Sequence, residues 1–253
     1  MRKPKTAQYI SSQKSGMQNS QILQSLAWDS DFFGIKIAKA TISDSGGWEE
    51  LKRIPLDDYD LIYIFDETNS ELCPMDSARL VDTKVIYRKS LSPQSGTIRD
   101  GSIHLYSRNT PDDDLYALAL TSGKYSRYNL DPGFPAGSYE RLYRRWIENS
   151  VNGQMANAVL YYEQDGHKLG MLTLKLSETE SSIGLIAVDD SRQGLGIGTK
   201  LMQSAEQYLT ANGITTLDVA TQMNNLPACK FYEKNGFTVH SSTRIYHLWM
   251  HRR

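Results

Sequence analysis

A chain of 253 residues is longer than one typical domain and can bury a full core. Its formal net charge of −1 gives no basic excess for nucleic acid or an acidic membrane surface, and no apolar run approaches the ~18 residues of a membrane-spanning helix. Its 2 cysteines, Cys73 and Cys229, are too few for a disulfide framework or a zinc site, so reduced thiols, no metal and a cytoplasmic setting are expected.

Residues 1–21 are polar, with Ser, Gln and Lys, and read as a flexible tail. Arg2, Lys3 and Lys5 are followed by no apolar core, so no signal peptide is expected there. Residues 22–91 read as a small α/β unit. Trp28, Phe32 and Phe33 precede Gly34, after which Ile35, Ile37 and Ile42 predict a turn into a strand. Asp60–Glu67 and Ala78–Lys89 predict two more strands, free to continue the sheet of a main domain. No phosphate loop or catalytic cluster appears in this unit, and its aromatics are expected in the core. Residues 92–101, SPQSGTIRDG, have the composition of a linker.

Residues 102–253 form the main domain. A strand near Ile103–Tyr106 precedes a helix opening at Pro111, Asp112 and Asp113, where acidic side chains suit the helix dipole. A long loop then carries Lys124, Tyr125, Arg127, Tyr128, Asp131 and Phe134. It ends in a helix with Leu142, Tyr143, Trp146 and Ile147 on one face. Loops of this length inside a compact domain are often functional. Arginine pairs bidentately with phosphate and an aromatic ring stacks on a base or sugar, so Arg127, Tyr128 and Phe134 are candidates for substrate contact. The competing reading is a structural crossover with solvated charges. Ala158–Tyr162 and Lys168–Leu176 read as strands joined at Asp165-Gly166, a hairpin signal.

The most informative stretch follows. Ile183–Val188 is short and β-branched, as in a buried strand, and a polar turn runs from Asp189 to Arg192. Gly194, Gly196 and Gly198 come next, and then Leu201, Met202, Ala205 and Leu209 at helical spacing. A strand, a glycine turn and a helix make an anion site. The first helical N–H groups have no internal partner, the dipole adds positive charge, and glycine allows close approach. The order Gly198-Thr199-Lys200 is wrong for a P-loop, and G-x-G-x-G is not the dinucleotide pattern. A purely steric turn is the competing reading. Thr215–Gln222 then alternates as a strand, and Thr243–Met250 predicts the last one.

Gln193, Gly196 and Gly198 resemble, position by position, the acyl-CoA loop of the GNAT N-acetyltransferases. Asn225, Ala228, Tyr232 and Gly236-Phe237 resemble that family's closing motif. The resemblance implies an α/β fold of GNAT type, with a mixed, mainly antiparallel central sheet flanked by helices and a smaller N-terminal GNAT-like unit. WDSDFFG (Trp28–Gly34), SRYNLDPGF and TTLDVATQMNN are similar to one branch, the bacterial TDP-fucosamine acetyltransferases. That likeness implies acetyl-CoA as donor and the amine of a TDP-linked 4-amino-4,6-dideoxy sugar as acceptor. It also implies a role in polysaccharide synthesis. A small amine, a protein N-terminus or lysine, and a non-catalytic CoA-binding module stay open, as do monomer and homodimer.

The resemblance assigns Gln193, Gly194, Leu195, Gly196, Ile197, Gly198 and Thr199 to the CoA pyrophosphate. The edge of Ile186, Ala187 and Val188 falls to the pantetheine, and Asn225 to the cofactor. Tyr232 is the expected general acid, since a phenol with pKa near ~10 can protonate a leaving thiolate at modest cost. Its alternative is a packing tyrosine, and that of Asn225 a helix cap. No general base is evident. Glu178 and His167 read as surface residues, a water chain is equally compatible, and Cys229 reads as packing.

Overall fold

The computed structural model describes residues 22–68, 73–92 and 101–250, so the expected tail and nearly all of the expected linker lie outside the described residues. Ten strands pair into one sheet among these residues. They are β1 (Leu23–Ser25), β2 (Ile37–Ile42), β3 (Leu61–Asp66), β4 (Arg79–Ser90), β5 (Ile103–Leu105), β6 (Ala158–Gln164), β7 (His167–Leu176), β8 (Glu180–Val188), β9 (Thr216–Gln222) and β10 (Thr238–Trp249). The helices are α1 (Ala27–Phe33), α2 (Gly47–Arg53), α3 (Asp113–Gly123), α4 (Arg127–Leu130), α5 (Ser138–Val151), α6 (Ile197–Ala211) and α7 (Leu226–Lys234). Among the described residues no helix is long and apolar enough to cross a membrane.

The sheet order is β1-β2-β3-β10-β4-β9-β8-β7-β6-β5. Only β2–β3 and β8–β9 are parallel, so the sheet is mixed and mainly antiparallel, as expected. The hairpin turn is where the sequence put it. Asp165 and Gly166 both have positive φ, 54° and 78°, which a two-residue turn matched to strand twist requires.

The last strand is not at an edge. β10 lies between β3 and β4, paired antiparallel to both. β4 in turn pairs with β9 over Lys84–Ser90. Across that seam Arg88 grips Asp218 with two bonds of 2.7 Å, and Lys89 Nζ reaches Glu206 of α6 at 2.5 Å. The domain boundary expected near Leu91 therefore coincides with no break in the sheet.

Helices cover both faces. α6 packs Leu201, Met202, Ala205 and Leu209 onto Leu172, Leu174, Leu217 and Val219. α3 and α5 pack Leu115, Leu118, Leu142 and Ile147 onto Met171, Leu185 and Ala187, and this core runs on into Phe33, Ile37, Leu61 and Tyr63. Strand alternation explains the division, since neighbours such as Met171 and Leu172 point to opposite faces.

Three of the elements that depart from the expectations have a plain physical cause. Trp28–Phe33 is helical rather than a turn. The helix has only 7 residues and ends on Gly34 at φ 69°, too short for its periodicity to stand out. α2 went unread for the same reason, although it buries Trp48 and Leu51 three positions apart. β10 starts five residues earlier than expected, because Thr238–Ser242 is polar and held by backbone pairing to β4 rather than by burial.

Candidate active site

The site begins with a parting of two strands. β8 pairs with β9 only from Glu180–Ile183 against Thr216–Val219. A β-bulge starts the parting. Leu172 of β7 faces Ile186 and Leu174 faces Ile183, so Thr173 stands opposite two residues, Gly184 and Leu185. Thr173 Oγ1 takes the Leu185 N–H at 2.8 Å in place of a ladder bond. A Cβ on Gly184 would lie 3.0 Å from that oxygen, so glycine fits there. Bulges bend a strand and increase its twist. Beyond the bulge a cavity of about 780 Å³ opens, lined by Gly184–Val188 on one wall and Val219–Gln222 on the other.

The glycine turn closes one end. Gly194 and Gly196 have φ of 79° and 82°, which side-chain-bearing residues rarely adopt. Gly196 begins α6 with no side-chain cap, and the first backbone bond is Lys200 N to Gly196 O at 3.0 Å. The amides of Ile197, Gly198 and Thr199 precede that bond, and all three residues line the cavity with Gln193, Gly194 and Gly196. Gly198 lets α6 approach α7, since a Cβ there would sit 3.1 Å from the Phe231 ring. Leu195 departs from its expected place. It is 65% exposed and is not among the lining residues. Gln193 Nε2 donates to Asp190 at 2.8 Å, and Lys124 Nζ binds the same carboxylate at 3.0 Å.

α7 supplies the opposite wall. Tyr232 is 3% exposed, lines the cavity, and packs against Tyr87 and Phe237. Burial pushes its phenol well above the usual range, so it is held protonated. Asn225 also lines the cavity and caps α7, its side chain accepting from Ala228 N at 3.3 Å. Cys229 is a half-buried free thiol outside the lining. His167 is exposed beside Asp114 on a separate cavity of about 150 Å³, and Glu178 is exposed; neither lines the main one.

The other side of the sheet completes the cavity. Ser126, Arg127 and Tyr128 reach it from α4 and its approach, with Tyr143 and Trp146 from α5. Arg127 Nη2 donates to the Tyr128 hydroxyl at 2.7 Å, and its guanidinium lies 5.2 Å from the Tyr63 ring. Phe134 is elsewhere: 8% exposed, packed on Phe33, Tyr128, His247 and Trp249, it belongs to the core and not to the lining. Its apolar loop context could not distinguish a stacking ring from a packing one.

The N-terminal strands contribute residues that the sequence reading missed. Phe65 of β3 and Asp82 and Lys84 of β4 line the cavity. The available signal was Asp82 and Lys84 at alternate positions of a strand, which puts both charges on one face. Burial pushes the Asp82 carboxyl up to about 6, against the pull of Arg127 and Lys84. Burial pushes the Lys84 amine down, and Arg127 and Lys39 crowd it further.

Residues 124–237 match the acetyltransferase (GNAT) family, so this chain carries a GNAT acetyltransferase domain. It is 36% identical over 140 residues to a dTDP-fucosamine acetyltransferase of Escherichia coli O6:H1, covering 54% of this chain and 58% of the relative. It is 28% identical over 132 residues to the spore coat polysaccharide biosynthesis protein SpsD of Bacillus subtilis, covering 52% and 45%. The chain thus spans about half the length of the curated relatives it matches. Among solved structures it is similar to a GCN5-related N-acetyltransferase from Sphaerobacter thermophilus, with TM-score 0.56, 13% identity, and 89% and 75% of the two chains covered. It is also similar to a tandem GNAT protein from the clavulanic acid biosynthesis pathway, with TM-score 0.50, 11% identity, and 86% and 76% covered. At such identities the likeness is one of fold.

Proposed function

We propose that this GNAT acetyltransferase domain moves an acetyl group from acetyl-CoA to the amine of a TDP-linked 4-amino-4,6-dideoxy sugar. Transfer is direct, in a ternary complex. The observation that carries the reading is a single cavity lined from both sides of the parted sheet, with a pyrophosphate-type turn on one side and a charged, aromatic wall on the other.

On the donor side, the uncapped amides of Ile197, Gly198 and Thr199 suit a pyrophosphate, and the edge of Gly184–Val188 suits the pantetheine amides. Leu185 N–H is taken by Thr173, and the N–H near Val188 is the one offered to polarise the thioester carbonyl. Tyr232 delivers the proton to the departing sulfur. The same dry surroundings that raise its own pKa raise that of the thiol, so the match between them is kept.

On the acceptor side, Lys84 and Arg127 line the cavity, and Lys39 lies over Phe65 with Nζ 4.4 Å from the ring centroid. Among the described residues none of the three makes an ion pair. Unpaired cations beside aromatic rings suit a diphosphate carrying a base and a sugar, which favours a nucleotide sugar over a neutral amine. The relatives named above lend the same support. A purely CoA-binding module has no use for this second wall. The product fits the synthesis of a surface polysaccharide by a cytoplasmic monomer or homodimer. The test is release of CoA thiol from acetyl-CoA with TDP-4-amino sugars, with small amines, with peptides, and with no acceptor. Release that requires the TDP sugar supports the reading, and release with peptides or small amines alone refutes it.

A further inference from the structure

Resting on amine acetylation at this cavity, we infer that Asp82 is the catalytic residue that takes a proton from the acceptor's ammonium. Among the described lining residues Asp82 is the single carboxylate, and no histidine joins it; the other charged lining residues are Lys84, Lys124, Arg127, Arg192 and Lys234. A proton acceptor must be basic and able to give its proton up again. Arginine stays protonated, the Lys84 amine is pushed down but from a starting range well above neutral, and the buried Tyr232 phenol is held protonated. Asp82 remains.

Its setting agrees. Asp82 stands on β4 opposite Ile245 of β10 and is 7% exposed. Its Oδ1 is buried and has no hydrogen-bond partner. A buried carboxylate oxygen without a donor is costly, and a bound ammonium supplies the missing charge and N–H groups. The charged and titratable groups that face it are Lys84 on its own strand, Arg127 on α4 and Tyr143 on α5. Burial outweighs the two cations and places the carboxyl at about 6, so it is ionised at neutral pH and not too weak a base to accept a proton.

The protons balance. The acceptor ammonium passes one proton to Asp82 and becomes a neutral amine. Its lone pair forms the N–C bond as the carbonyl π pair moves to oxygen. Collapse breaks the C–S bond, and the sulfur leaves with the pair and takes the Tyr232 proton. Tyr232 recovers a proton from the acylated nitrogen, and Asp82 releases its own to solvent. The sum is an amide, a free thiol and one proton in solution.

The experiment is the pH profile of acetyl transfer for the wild type and Asp82→Asn. The wild-type kcat/KM is expected to fall below pH about 6. Asp82→Asn is expected to lack that limb, to lose about 100-fold or more at pH 7, and to recover much of it as the pH passes the ammonium's own pKa. Acetyl-CoA affinity and melting temperature stay near wild type. A deficit equal at every pH, or no deficit, overturns the assignment. Should asparagine not be tolerated in the fold, Asp82→Ser carries the same test. Wild-type protein that acetylates another primary amine but no TDP sugar removes the sugar reading alone, and the Asp82 profile is then taken on that amine. Wild-type protein that acetylates no amine overturns both.

Discussion

The carboxylate of Asp131 is hydrogen-bonded to the ring of His247, 116 positions further along the chain. The bond ties the loop after α4, the helix that Arg127 opens, to the strand in the middle of the sheet. Trp249 Nε1 and Gly133 N donate to the same carboxylate, both at 3.0 Å. Burial alone would raise the Asp131 carboxyl, but the bonds from His247, Gly133 and Trp249 outweigh it and hold it at about 2.

Asp131→Ala leaves the buried His247 ring and the partly buried Trp249 and Gly133 N–H groups without this acceptor and is expected to cost about 2–3 kcal/mol, read as a lowered melting temperature. The acid limit is also fixed in sign. With the folded pKa below the unfolded value of ~3.9, the Asp131 contribution is present above pH ~4 and lost as pH falls through about 2. Asp131→Asn is expected to flatten the loss of stability in that window. An unchanged acid melt would remove Asp131 from the account.

Tyr232→Phe removes one hydroxyl from a buried ring and leaves its packing on Tyr87 and Phe237 in place. Turnover is expected to drop about 100-fold while the acetyl-CoA dissociation constant hardly moves. Steady-state rates beside calorimetric binding distinguish the two, and equal losses in both would mark Tyr232 as a packing residue.

Gly196→Ala forces a Cβ into a backbone at φ 82°. The strain is about 1–2 kcal/mol, so acetyl-CoA affinity is expected to weaken roughly 5- to 30-fold. Titration calorimetry reads it directly, and wild-type affinity would mean that the turn does not hold the donor.

Lys84→Ala tests the acceptor wall. Loss of one charged hydrogen bond is expected to raise the KM for the TDP sugar about tenfold or more, with the acetyl-CoA KM unchanged. A rise in the acetyl-CoA KM instead would move Lys84 to the donor side.

Much of the donor half was legible because its chemistry is local. Gln193 to Thr199 form one contiguous turn, and a glycine at positive φ leaves its mark in the residue type itself. Tyr232 was found through its place in a motif, which placed it in the cavity wall without saying what it touches. The wall proposed for the acceptor was legible only at Arg127 and Tyr128. Phe65, Asp82 and Lys84 sit far from Arg127 in the chain, and only the pairing of β4 with β10 and β9 brings them to one wall. Phe134 shows the reverse failure. An aromatic in a long loop satisfies the pattern for stacking on a ligand and for filling a core, and burial alone decides between them.

The place of β10 between β3 and β4 also sets an order of assembly. The ladder pairs Leu61–Asp66 with Arg244–Trp249, so nearly the whole described chain must be made before it can form. Until then β3 and β4 each present an open edge where their partner belongs. Closure of so large a loop is slow, and unpaired edges attract other strands in the meantime. Before β10 is in place the unpaired edges therefore lie at the middle of the sheet as well as at its rim, and the wall formed by Phe65, Asp82 and Lys84 is among the last features to be completed.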